Sequence, residues 1–206
     1  MKSLVLIFLF SSIFFALQGC SHKGTVSAVQ ATNIYSDNEK KVPGNARFSI
    51  DETSLTKLRK DDSVQGFACA GHKFPVDGSD AFVSSVPSML EQVFEASSKA
   101  ESLTGGHDDT SLLFRIERFE PRVKFNQKFF GVDAEATVEL GVSVTGIRSG
   151  TRVFGTTAES QRSRSGDGGG FCEGGGQVLA DATRDAIKDV LEKLGERMAN
   201  SQSLRK

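Results

Sequence analysis

The segment GVDAEATVELGVSVTGI, residues 131–147, alternates along its whole length. Val132, Ala134, Ala136, Val138, Leu140, Val142 and Val144 take one phase; Asp133, Glu135, Thr137, Glu139, Gly141, Ser143 and Thr145 take the other. A period of two sends successive side chains to opposite faces, which predicts a strand with one buried and one solvated face. Arg148-Ser149-Gly150 follows as a hairpin turn. Thr151–Arg164 then returns as a strand, with Val153, Gly155, Thr157 and Glu159 alternating with Phe154 and Ala158. Upstream, Ser111–Phe125 carries Leu112, Phe114 and Ile116 on one face. Pro121 marks an edge or a bulge there, because proline cannot donate to a ladder. Three successive strands at this spacing predict an antiparallel meander.

Two segments have helical spacing instead. In Ser79–Ala100, Phe82, Val83, Val86, Met89, Leu90, Val93 and Phe94 form one apolar stripe. Pro87 lies inside it and is expected to bend the helix or to mark where its regular part begins. In Gln177–Asn200 the stripe is Leu179, Ala182, Ala186, Ile187, Val190, Leu191, Leu194 and Met198. Thr104–Asp109 reads as a turn, Ala46–Ile50 and Val64–Ala70 as short strands, and Asp51–Asp62 as a loop or a single helical turn. The order is β-β-α-β-β-β-α. Helices with one apolar stripe match a sheet with one apolar face, so the expected fold class is α+β: a two-layer sandwich, its sheet mostly antiparallel, with two helices packed on one face.

The N-terminus reads differently. Lys2 precedes an apolar run from Leu4 to Leu17, which is short for a bilayer-spanning helix of about 20 residues and suited to a signal-peptide core. The run stops at Leu17-Gln18-Gly19-Cys20. This tetrad resembles the lipobox of bacterial lipoproteins, the motif cut by signal peptidase II; Gln18 departs from the small residue usual there. The resemblance implies that Cys20 becomes the first residue of the mature chain. It also implies that Cys20 carries thioether-linked diacylglycerol and an amide-linked acyl chain, making the lipid bilayer a partner. Two or more chains anchor stably, each buried methylene contributing about 0.8 kcal/mol. Ser21 rather than Asp follows the cysteine, which by the same resemblance places the protein in the outer membrane, facing the periplasm. The order of elements is also similar to that of small outer-membrane lipoproteins, the YajG-like group and the lipopolysaccharide-assembly lipoprotein among them. The expected divisions are a signal peptide at 1–19, a lipidated tether at 20–45, one domain at 46–200 and a polar tail at 201–206.

Lipidation of Cys20 leaves Cys69 and Cys172. In an oxidising compartment the pair reads as one disulfide, with two independent free thiols as the alternative. Cys69, His72 and Cys172, with His107, would be the donors of a metal site, but a second close-spaced ligand pair is missing. The glycine-rich stretch GDGGGFCEGGG, residues 166–176, ends Gly-Gly-Gly-Gln and lacks the Gly-Lys-Ser/Thr of a P-loop. It reads as a flexible connection fixed only at Cys172. Neither G-x-S-x-G nor H-E-x-x-H occurs, and the three histidines are His22, His72 and His107. With 25 basic and 26 acidic side chains the chain lacks the basic excess of a nucleic-acid binder. No catalytic residue, cofactor or metal is expected. The expected function is an envelope lipoprotein that acts without catalysis, as an accessory or assembly subunit meeting an envelope protein partner. The alternatives are a periplasmic binding module for a small molecule, peptidoglycan or lipid, and an enzyme of unrecognised type.

Overall fold

The structure, a computed structural model, describes residues 20–63, 69–100 and 109–206. The expected signal peptide, most of the expected strand Val64–Ala70, and the turn at 104–108 with His107 lie outside the described residues. The elements are β1 (Val42–Ile50), α1 (Glu52–Leu55) with a 3-10 turn at Thr56–Leu58, β2 (Arg59–Ser63), β3 (Lys73–Asp77), α2 (Ser79–Val93), β4 (Phe94–Lys99), β5 (Thr110–Gln127), β6 (Val132–Arg148), β7 (Thr151–Asp167) and α3 (Gly174–Ala199).

Burial in β6 follows its alternation. Ala134, Ala136, Val138, Leu140, Val142 and Val144 are buried, while Glu135, Thr137, Glu139 and Ser143 are only partly covered. β5, β6 and β7 form the antiparallel meander, and β1 and β4 extend it in the order β4-β1-β5-β6-β7. β1 runs parallel to both of its neighbours, so the sheet is mixed, with its long strands antiparallel. Ser149 and Gly150 close the β6–β7 hairpin with φ of 49° and 74°. Two positive values in succession match the right-handed twist of the flanking strands.

β5 changes phase part-way. Leu112, Phe114 and Ile116 are buried, then Phe119, Val123 and Phe125, and the ladder to β6 slips between Ile116 and Arg118. This bulge leaves Glu117 and Arg118 both on the solvated side. β1 pairs with β5 only as far as Phe114, so Pro121 sits on a free margin of the strand, where a missing N–H is tolerated.

α3 packs along β6 and β7, and α2 packs on α3 and β4, giving the expected two-layer arrangement. α2 runs unbroken through Pro87, but it ends at Val93 instead of continuing to Ala100. Phe94 turns to an extended conformation (ψ 156°), and its chain pairs with β1 as β4. Around the expected strand Val64–Ala70, Cys69–Gly71 form a turn, and the antiparallel pair β2–β3 flanks it.

The segment expected to be a tether is docked on the body. From Cys20 to Lys41 an extended strap lies along α2 and α3. Lys73 N–H donates to Cys20 O (3.0 Å), and His22 N–H to Lys73 O (2.8 Å). Val29 N–H donates to Ser85 Oγ (2.9 Å) on α2. Thr32 and Asn33 N–H both donate to Glu192 Oε1 (3.1 and 3.0 Å) on α3, and Asp37 N–H donates to Asn200 Oδ1 (2.8 Å). Ala31 is fully buried, and Val26, Val29 and Ile34 pack against the core. Sparse apolar residues are enough here because side chains of both helices satisfy the strap's backbone donors.

Glycine at the start of α3 makes the close approach possible. A Cβ at Gly24 would stand 2.6 Å from the Gly176 carbonyl carbon and 2.7 Å from Ala180 Cβ. A Cβ at Gly175 would meet the Phe74 ring at 2.8 Å.

Candidate functional site

The turns at one end of the sheet gather around Cys20. β5 finishes there and β6 begins, β7 finishes and α3 begins, and β3 starts beside the Cys69–Gly71 turn. Cys69 and Cys172 are joined by a disulfide, Cα to Cα 5.9 Å, across 103 positions. Both residues take positive φ, 63° and 65°, the left-handed region that non-glycine residues seldom adopt. With these sulfurs joined, the donor set drawn from Cys69, His72 and Cys172 does not assemble.

A different triad lies nearby. Cys20, whose side chain is a free, exposed thiol, has its donor atom within 4.8 Å of those of His22 and His72. His22 Nε2 and His72 Nδ1 are 2.8 Å apart, with the rings stacked at 5.0 Å. His22 also stacks on Phe74 (5.5 Å), which tilts against Phe125 (5.1 Å). The pairing spans 50 residues, and the placement of His22 in a tether gave no sign of it; the signal was its position two residues beyond Cys20. Two imidazoles and a thiolate are a zinc-type donor set one ligand short of four. One sulfur cannot serve both as that thiolate and as a thioether carrying lipid.

The glycine-rich loop is pinned at several points beyond Cys172. Gly169 N–H donates to Asp167 Oδ1 (2.9 Å), Phe171 N–H to Glu173 Oε2 (2.8 Å), and Gly174 N–H to Gly168 O (3.0 Å). Its own N–H and that of Phe171 hold the Glu173 carboxyl below the usual carboxylate range.

The solvated sheet face is a charge grid. Arg118 reaches Glu120 (2.8 Å) and Glu139 (2.7 Å), and Arg122 reaches the same two carboxylates (2.7 and 3.4 Å). Lys124 pairs with Glu135 (2.9 Å). The Arg118 hydrogen bond holds Glu120 below the usual carboxylate range. These pairs are mutually satisfied, and on the same face the Ser143 hydroxyl donates to the Glu117 carboxylate.

β7 is an edge strand of 17 residues. Arg162 and Arg164 turn towards α3 and bond Asp189 and Asp185. Lys193 Nζ donates to Glu159 O (2.8 Å), and Arg197 donates to Thr157 O. Alternate residues of a strand aim their backbone groups to the same side. Gln161, Ser163 and Ser165 therefore present N–H and C=O to the open edge, beyond the reach of these two cations.

A cleft of about 830 Å³ lies between β1, α1, α2 and the end of β4. Ser49, Ile50, Glu52, Leu55, Val83 and Lys99 line it. Glu52 and Lys99 are the charged groups among its described lining residues.

No family model matches the chain, and no curated protein matches it. Solved structures are similar in chain path. A Xanthomonas campestris protein of the DUF330 family is 16% identical with a TM-score of 0.47, over 85% of this chain and 91% of that one. A minor lipoprotein of Acinetobacter baumannii is 12% identical, TM-score 0.36, over 78% and 92%. A homolog of the neuraminyllactose-binding hemagglutinin from Helicobacter pylori is 9% identical, TM-score 0.36, over 82% and 91%. The likeness is weak in all three.

Proposed function

We propose that the chain is a lipoprotein of the bacterial envelope, acylated at Cys20, that works without catalysis as an accessory or assembly subunit through protein contacts. The lipobox-like tetrad supports the anchor, and Ser21 supports the outer membrane. The observation that carries the contact reading is the open edge of β7. A long edge strand is a template for another strand, and natural sheets guard such edges with charge or cover. Here Lys193 and Arg197 guard Thr157 and Glu159, whereas among the described residues no side chain bonds the outward backbone groups of Gln161, Ser163 and Ser165, which alternate with Arg162 and Arg164 turned to α3. A partner that adds an extended segment there gains main-chain hydrogen bonds.

Two measurements test this. Cys20→Ser abolishes fatty-acid labelling and releases the protein from membranes; a mature Cys20 thiol that reacts with maleimide refutes the anchor and favours the histidine–thiolate donor set. A photo-crosslinking residue at Gln161 captures one envelope protein in intact cells, and Ser163→Pro, which removes an N–H at the open edge, abolishes the adduct while the fold is retained. An adduct unchanged by Ser163→Pro refutes strand addition. The ligand-binding reading rests on the cleft beside β4, whose volume suits a small molecule but whose described lining residues offer few convergent polar groups.

A further inference from the structure

The Cys20 end of the molecule carries three bare aromatic side chains. Phe129 and Phe130 form the tip of the β5–β6 hairpin, 94% and 87% exposed, and Phe171 in the β7–α3 loop is 81% exposed. Tyr35 is the other large exposed hydrophobic among the described residues. Hairpin tips are ordinarily polar, and adjacent exposed phenylalanines are the informative exception. These two pack edge-to-face on each other, at 4.8 Å.

The loops that carry the three rings are tied to one another and to Cys20. Gly168 N–H donates to Val132 O (2.7 Å), joining the Phe171 loop to the base of the hairpin. Cys172, next to Phe171, is bonded to Cys69, whose carbonyl accepts from His72 N–H (3.1 Å). Lys73, one residue on, holds the Cys20 carbonyl. Exposed Lys73 stands beside Cys20, and Lys128, beside Phe129, is paired with Asp133. A Cβ at Gly71, Gly131 or Gly170, in the turns of this end, would meet nothing within 4 Å. The strap leaves no slack, because the chain is already hydrogen-bonded to the body at Cys20 itself.

We propose that this end is a bilayer-docking face: Phe129, Phe130 and Phe171 enter the headgroup–acyl boundary around the acylated Cys20 and fix the body's orientation on the membrane. The inference rests on the anchor reading for its geometry and adds to it a second, non-covalent contact. Aromatic rings suit that boundary, and Lys73 beside Cys20 meets anionic headgroups. An anchor reached through a free tether would require no apolar side chains on the body. An anchor that begins on the body presses this end against lipid.

The chain contains no tryptophan, so one introduced residue reports alone. Phe129→Trp, Phe130→Trp, Phe171→Trp and, as the control at the far end of the strap, Tyr35→Trp are prepared as the acylated protein. Each is reconstituted in vesicles of phosphatidylethanolamine and phosphatidylglycerol, with and without brominated acyl chains. Blue-shifted emission quenched by bromolipid is expected at 129, 130 and 171 and not at 35. Quenching no greater than at 35, in protein that carries labelled fatty acid, overturns the docking face and leaves the anchor standing. If Cys20 proves unlabelled, the anchor reading fails by itself, and the same reporters on unacylated protein mixed with the vesicles decide the face: quenching supports it, and emission unchanged by vesicles overturns it.

Discussion

Gly24→Ala tests whether the strap belongs to the fold. The added Cβ would stand 2.6 Å from the Gly176 carbonyl carbon and 2.7 Å from Ala180 Cβ, and closer still to the Gly176 oxygen. Real Cβ contacts stay above 3.0 Å, and the atoms met, the Gly176 carbonyl in the first turn of α3 and the Ala180 Cβ, cannot rotate away. Overpacking of this kind costs typically about 1–3 kcal/mol. The loss has a ceiling, because the strap can leave the groove. Then the cost equals its docking free energy: burial of Ala31 and part of Val26, Val29 and Ile34, with backbone hydrogen bonds worth about 1 kcal/mol each, less the entropy of ordering the segment. At about 2–4 °C per kcal/mol for a domain of this size, a fall of roughly 2–12 °C in Tm is expected. Hydrogen exchange reads the mechanism. The amides of Val29, Thr32, Asn33 and Asp37 are protected in the parent protein and lose protection in Gly24→Ala, while those of β6 keep theirs. Free exchange of the four amides in the parent, with Tm unchanged in the variant, would falsify the docked strap and restore the tether.

Leu140→Ala, at a position 1% exposed, should cost about 2–5 kcal/mol, and Glu139→Ala, whose carboxylate pairs with half-exposed arginines, about 1 kcal/mol or less; urea melts showing the reverse order would refute the strand phase. Mass spectrometry of the non-reduced protein should yield a peptide pair linking Cys69 and Cys172, and reduction should lower stability by about 2–4 kcal/mol; two freely alkylated thiols in protein taken from the periplasm would rule the bond out. Burial pushes the Asp189 carboxyl up, but hydrogen bonds from Lys193 and Arg162 and the Lys193 charge outweigh it and hold it below the usual range. A carboxyl depressed by folding adds stability that is complete above its unfolded value, about pH 4, and is lost as pH falls through the folded one. Asp189→Asn should therefore flatten the acid limb of the stability profile below about pH 4, and an unchanged limb would show that the group contributes nothing to it.

The two layers were legible in the sequence because burial on one face leaves a periodic trace. The period of two in β6 and the stripe in α3 each record one buried side. The phase slip in β5 was written there too: apolar residues stand at 112, 114 and 116, then at 119, 123 and 125, so an extra residue must fall between. β4 left no such trace. Phe94 continues the α2 stripe, and no glycine or proline stops the helix at Val93; pairing with β1, more than 40 residues earlier, overrides local preference. The strap was hidden for a different reason. Its stability is held by backbone donors meeting Ser85, Glu192 and Asn200, contacts that span 56 to 163 residues and demand no hydrophobic pattern of the strap itself. The same cause concealed the His22–His72 pair, since His22 acquires a neighbour only when the strap docks. What composition reads as linker is a segment whose partners supply the side chains. If Cys20 is acylated as proposed, this docking makes the anchor begin on the body, and that is the premise on which Phe129, Phe130 and Phe171 would meet a bilayer.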